Sequence, residues 1–103
     1  MANDNFKEIP ESEWFELDEG QVCVVALNNL EEQVFAGYFE EPEEEDGTFD
    51  LQGCYEFDGL KEWFRASGHE QGMSYCGLDV DTIQSVFVPK KDVDLDACMK
   101  LWS

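Results

Sequence analysis

The chain opens its clearest apolar pattern at Gln21. From there to Leu27 the run Val22-Cys23-Val24-Val25-Ala26-Leu27 is continuously apolar and rich in β-branched residues. A short run of this kind predicts a buried strand. Gln33 to Glu40, with Val34, Phe35, Tyr38 and Phe39, predicts the next strand, and Gly37 inside it marks a bulge or a close approach. Thr48–Leu51 and Cys54–Phe57 predict a third strand, broken at Gly53. Ile83 to Val88 predicts another, ended by Pro89. Asp18-Glu19-Gly20 and Asn28-Asn29 are turn signals between these runs. Residues 41–47, Glu41-Pro42-Glu43-Glu44-Glu45-Asp46-Gly47, read as an acidic loop. The resulting picture is an antiparallel meander.

Two segments carry a helical period instead. Leu60, Trp63 and Phe64 follow Asp58, a fair N-cap, and predict a helix over 58–66 ended by Gly68. Leu95, Cys98, Met99 and Trp102 share one face and predict a final helix started by Asp92 or Asp94. Glu13-Trp14-Phe15-Glu16-Leu17 suits either a short strand or a helical turn. Residues 1–12 read as a polar arm broken by Pro10, and 69–77 as an irregular, Gly-rich stretch. The fold class predicted is α+β: an antiparallel sheet of three to five strands with one or two helices packed on one face. At 103 residues the whole chain, 1–103, is expected to form a single domain.

Composition changes this picture in one respect. Hydrophobic residues are 43% of the chain and aromatics 14%, enough for an ordinary core. Yet 25 acids face 6 Lys and Arg, a formal net charge of −19. The chain therefore folds against strong self-repulsion. The charge is also lopsided. Residues 1–60 hold 18 of the 25 acids and one base, Lys7, for a net of −17; residues 61–103 are nearly balanced. A field of this sign repels phosphates, which argues against direct contact with DNA, RNA or an anionic membrane surface. It favours basic protein partners. With neither a signal peptide nor an 18-residue apolar run, the expected location is cytoplasmic.

Candidate chemistry is sparse. No phosphate-binding Gly-rich motif, nucleophile elbow or zinc-protease motif occurs. The single histidine, His69, sits between Gly68 and Glu70, a poor basis for a Cys76–His69 nucleophile pair. Cys23, Cys54, Cys76 and Cys98 form no C-x-x-C pair and read as packed thiols. Asp92-Val93-Asp94-Leu95-Asp96 begins like a calcium loop, but Ala97 stands where Gly is required and Ser103 where a bidentate Glu is required. No enzyme, metal or cofactor is expected.

The acids themselves remain. Glu13, Glu16, Asp18, Glu19, Glu31, Glu32, Glu40, Glu41, Glu43, Glu44, Glu45 and Asp46 are candidate phosphate mimics. Alternate strand positions lie about 6.6 Å apart on one face. Successive phosphates on a DNA strand rise about 3.4 Å along the helix axis. Rows of carboxylates can therefore approach the charge spacing of a nucleic-acid backbone. Trp14 and Phe15, flanked by Glu13 and Glu16, are candidate aromatic anchors.

In size, charge and α+β character the chain resembles the small acidic nucleic-acid mimics encoded by phages and plasmids. These include anti-restriction proteins, anti-CRISPR proteins and uracil-DNA glycosylase inhibitors. The resemblance implies an inhibitor that occupies the basic nucleic-acid-binding surface of a host defence or DNA/RNA-processing protein, as a monomer or homodimer in the host cytoplasm. It rests on overall character and transfers no individual residue. Two alternatives share the same charge: an immunity protein capping a basic nuclease toxin, and an acidic interaction domain without mimicry.

Overall fold

A computed structural model describes residues 4–28, 33–41, 47–57, 63–65 and 75–102. Among them are seven strands in one antiparallel sheet: β1 (Phe6–Ile9), β2 (Val22–Leu27), β3 (Val34–Glu40), β4 (Thr48–Phe57), β5 (Trp63–Arg65), β6 (Tyr75–Asp79) and β7 (Ile83–Pro89). One α-helix, α1 (Leu95–Trp102), and two 3₁₀ segments, Glu11–Glu16 and Val80–Thr82, complete the described chain. The strand order is β1-β7-β2-β3-β4-β5, with β6 also paired to β4. The fold is thus mainly β, with more strands than the three to five expected.

The central strand β2 explains the continuous apolar run. Cys23, Val25 and Leu27 enter one core with Phe35, Phe39, Phe49, Leu51, Cys54, Leu78, Ile83 and Val86. Val22 and Val24 enter a second, with Phe6, Ala36, Phe87, Leu95, Cys98 and Met99. Side chains alternate across a strand, so a strand covered on both faces has no polar positions to give. The helix α1 covers the second face. Asp94 caps it, its Oδ1 accepting from the Ala97 N–H at 2.9 Å. Trp102 at the far end packs edge-on against Phe6, with centroids 5.2 Å apart. The final helix is therefore as its apolar spacing predicts.

Strand β4 runs unbroken through Gly53, which takes φ +62° and absorbs a register shift against β3. The bulge drives β4 onto Gly37. A Cβ at Gly37 would lie 2.9 Å from the Gln52 carbonyl oxygen, a backbone atom with no freedom to withdraw. Gly37 is the close approach that the sequence suggests.

Three expectations fail, each where strand pairing decides the outcome. Residues 6–9 are not part of a free arm: β1 pairs with β7, with Phe6 and Ile9 buried on opposite faces. The helix expected over 58–66 gives way, at its described residues, to β5, paired with Tyr55–Phe57. There the Trp63 ring packs 4.8 Å from Phe57, and its Nε1–H donates to the Met99 carbonyl at 3.0 Å. Those tertiary contacts outweigh a local helical spacing. The stretch expected to be irregular over 69–77 supplies the first residues of β6, which pairs with Thr48–Gln52.

Candidate functional site: an acidic rim around Phe15

The first 3₁₀ helix sorts the residues that the sequence leaves equivalent. In a 3₁₀ helix, positions i and i+3 eclipse. Trp14 and Leu17 therefore share one side and pack into the core, Trp14 only 4% exposed and Leu17 half-buried. The Trp14 Nε1–H donates to the Ile9 carbonyl at 3.1 Å. Trp14 is thus a core residue rather than an interface anchor. Glu13 and Glu16 share another side and are exposed. Phe15, on the third, is 43% exposed while its inner edge rests on Phe49, centroids 5.6 Å apart, and on Phe39 at 6.5 Å.

That ring contact ties the 3₁₀ helix to the ends of β3 and β4, where more carboxylates emerge. Beyond the last ladder pair of β2 and β3, the turn Asp18–Gly20 continues onto β3. The Gly20 N–H donates to the Phe39 carbonyl and the Phe39 N–H to the Gln21 carbonyl, both at 2.8 Å. One residue further, the Glu41 N–H donates to Glu19 Oε1 at 2.9 Å. Asp18, Glu19 and Glu41 are exposed and Glu40 half-buried. Glu40 lies directly opposite Asp50 in the β3–β4 ladder. Like charges in that position destabilise a sheet by a few tenths of a kcal/mol to about 1 kcal/mol. Asp50 is buried and accepts from Thr48 Oγ1 at 2.8 Å.

Two acids from the balanced half of the chain come close to this end. Asp79 pairs with Thr48 across β4 and β6, and the Val80 N–H donates to the Gly47 carbonyl at 2.9 Å. Asp81 follows, its own N–H held by the Asp79 carboxylate at 3.0 Å. No local pattern around Asp79 and Asp81 marks their place, since only the pairing of β6 with β4 creates it.

The structure therefore gathers Glu13, Glu16, Asp18, Glu19, Glu40 and Glu41 around one end of the molecule, with exposed Phe15 among them. Glu31, Glu32, Glu43, Glu44, Glu45 and Asp46 lie outside the described residues. Of the described lysines, Lys7 lies on β1 and Lys100 on α1, while Lys90 and Lys91 follow Pro89 at the same end of the sheet, on its β1–β7 side.

No family model, curated protein or solved structure matches this chain.

The rim must therefore be read from its own chemistry. Among the described residues, no group of three or more His, Cys, Asp or Glu is arranged to hold a metal ion. No described helix is long and apolar enough to cross a membrane. Cys23, Cys54 and Cys98 are buried thiols rather than disulfide halves. Burial pushes the Cys98 thiol up to about 11 and the Cys23 thiol higher still, with Cys98 adding to the effect on Cys23. Both are protonated at neutral pH and lack the thiolate that nucleophilic chemistry requires. What the rim offers is a fixed, solvent-facing pattern of negative charge beside one aromatic ring. Such a surface binds cationic groups and steers their approach.

Proposed function

We propose that the chain is an acidic inhibitor that mimics a nucleic-acid backbone. It occupies the basic nucleic-acid-binding surface of a host defence or DNA/RNA-processing protein. The observation that supports this reading most is the grouping of exposed carboxylates on adjoining segments. Carboxylates from the first 3₁₀ helix, the following turn and the end of β3 converge on one rim. Lys and Arg side chains that neutralise phosphates would meet carboxylates there instead. Phe15 offers a ring face on which an Arg guanidinium stacks.

Electrostatic attachment of this kind is steep in salt, because exposed charges are screened beyond about 8 Å at physiological ionic strength. The immobilised chain is expected to retain nucleic-acid-binding proteins from a nuclease-treated lysate at about 50 mM salt. It should release them progressively toward about 500 mM. Retention of the same proteins, unchanged across that range, would argue for an apolar interface and against mimicry.

A further inference from the structure

We infer that Glu19 serves this rim as a positioning residue rather than as one of its presented charges. The inference rests on the mimic reading for its purpose, but its structural content stands apart from it. Two acidic segments meet at the rim: the 3₁₀ helix with its turn, carrying Glu13, Glu16 and Asp18, and the end of β3, carrying Glu40 and Glu41. Like charges drive these segments apart. Backbone bonds between the turn and β3 stop at Phe39. Beyond that point the Glu19 carboxylate takes over, accepting the Glu41 N–H at 2.9 Å where β2 has already turned away. A side-chain oxygen thus fills the place of the missing strand carbonyl and extends the attachment by one step.

The consequence concerns preorganisation. A mimic binds well only if its charges already stand in the pattern its partner reads, because ordering them on binding costs affinity. Glu19 spends its carboxylate on holding that pattern. Its neighbour Asp18, also exposed, has a backbone carbonyl that accepts from Gln21, and no hydrogen bond involving its side chain is among those described. Two acids adjacent in sequence therefore have different roles.

The test compares Glu19→Gln, Glu19→Ala and Asp18→Asn. All three remove one negative charge. Only Glu19→Ala also removes the acceptor, since the Gln carboxamide oxygen can replace the carboxylate oxygen. Backbone amide exchange at Glu41 in the isolated protein reads the strap without any partner. The expected result is exchange in Glu19→Ala about ten-fold faster than in Glu19→Gln, the scale of one hydrogen bond. Amides of β2 and β7 should be unchanged. Equal Glu41 exchange in the Gln and Ala variants overturns the inference. Affinity for a partner recovered by the salt-elution experiment gives the second readout. Glu19→Gln should lose less affinity than Asp18→Asn, with Glu19→Ala weaker than Glu19→Gln by about five-fold or more. Equal losses in all three reduce Glu19 to a presented charge and also overturn the inference. Failure to recover any nucleic-acid-binding partner instead counts against the functional reading, and Glu41 exchange still decides the strap.

Discussion

Replacing Glu13, Glu16, Asp18 and Glu41 together with Lys is expected to weaken partner binding by about 100-fold or more. Close charge pairs across an interface contribute on the order of 1 kcal/mol or more each when desolvated. Reversal adds repulsion to that loss. All four side chains are exposed, so folding should be little affected. The informative control reverses Asp4, Glu8, Asp92 and Asp96. These acids are equally exposed but lie on or near β1 and α1. Each quadruple variant raises the net charge by eight from −19. A loss confined to the rim variant assigns recognition to a place. Equal losses would mean that only the overall field matters. The loss should appear mainly in the association rate for peripheral positions and in dissociation for those that are desolvated on binding.

Trp14→Ala is expected to lower folding stability by roughly 3–5 kcal/mol, the range for emptying a large aromatic site in a core. The side chain is 4% exposed, and its ring N–H satisfies the Ile9 carbonyl. Truncation leaves both a cavity and an unpaired acceptor. A stability of about 5–15 kcal/mol is typical for a domain, so the variant should sit near the edge of folding. Trp14→Phe keeps most of the apolar volume and loses the hydrogen bond, so its cost should be markedly smaller. Denaturant unfolding with an unchanged m-value measures both. A Trp14→Ala protein of near-normal stability that bound its partner poorly would restore Trp14 as an interface anchor. Phe15→Ala should do the reverse, costing affinity more than stability.

These two residues show how much of the molecule was legible in the sequence. Both aromatics sit between the same two glutamates, and composition treats them alike. A 3₁₀ phase of three residues separates them: Trp14 joins Leu17 in the core, while Phe15 stays at the surface. Periodicity over five residues is too short to reveal that phase. Strands β2, β3, β4 and β7 were legible because each is a local apolar run with a turn signal beside it. Helix α1 was legible for the same reason, with Asp94 as cap. Strands β1, β5 and β6 were not. β1 and β6 are defined by partners far along the chain, while β5, paired with the nearby Tyr55–Phe57, carries a spacing that fits a helix equally well.

The charge was legible as an asymmetry and not as a shape. Counting placed the field in residues 1–60, and the described acids of that segment include the six that form the rim. Counting could not bring Asp79 beside Thr48 across the sheet, because that requires the pairing of β6 with β4. Nor could it single out Glu19, whose role depends on the Glu41 backbone 22 residues later.

The central claim is that rim carboxylates stand where phosphates would stand on the partner. Equilibrium competition with a purified partner tests it most directly. Labelled nucleic acid is bound to the partner, and the chain is titrated in at fixed ionic strength. Mimicry predicts full displacement of the nucleic acid, with an apparent affinity that falls in proportion to the nucleic acid present. A stable ternary complex, with chain and nucleic acid bound to the partner together, would contradict it.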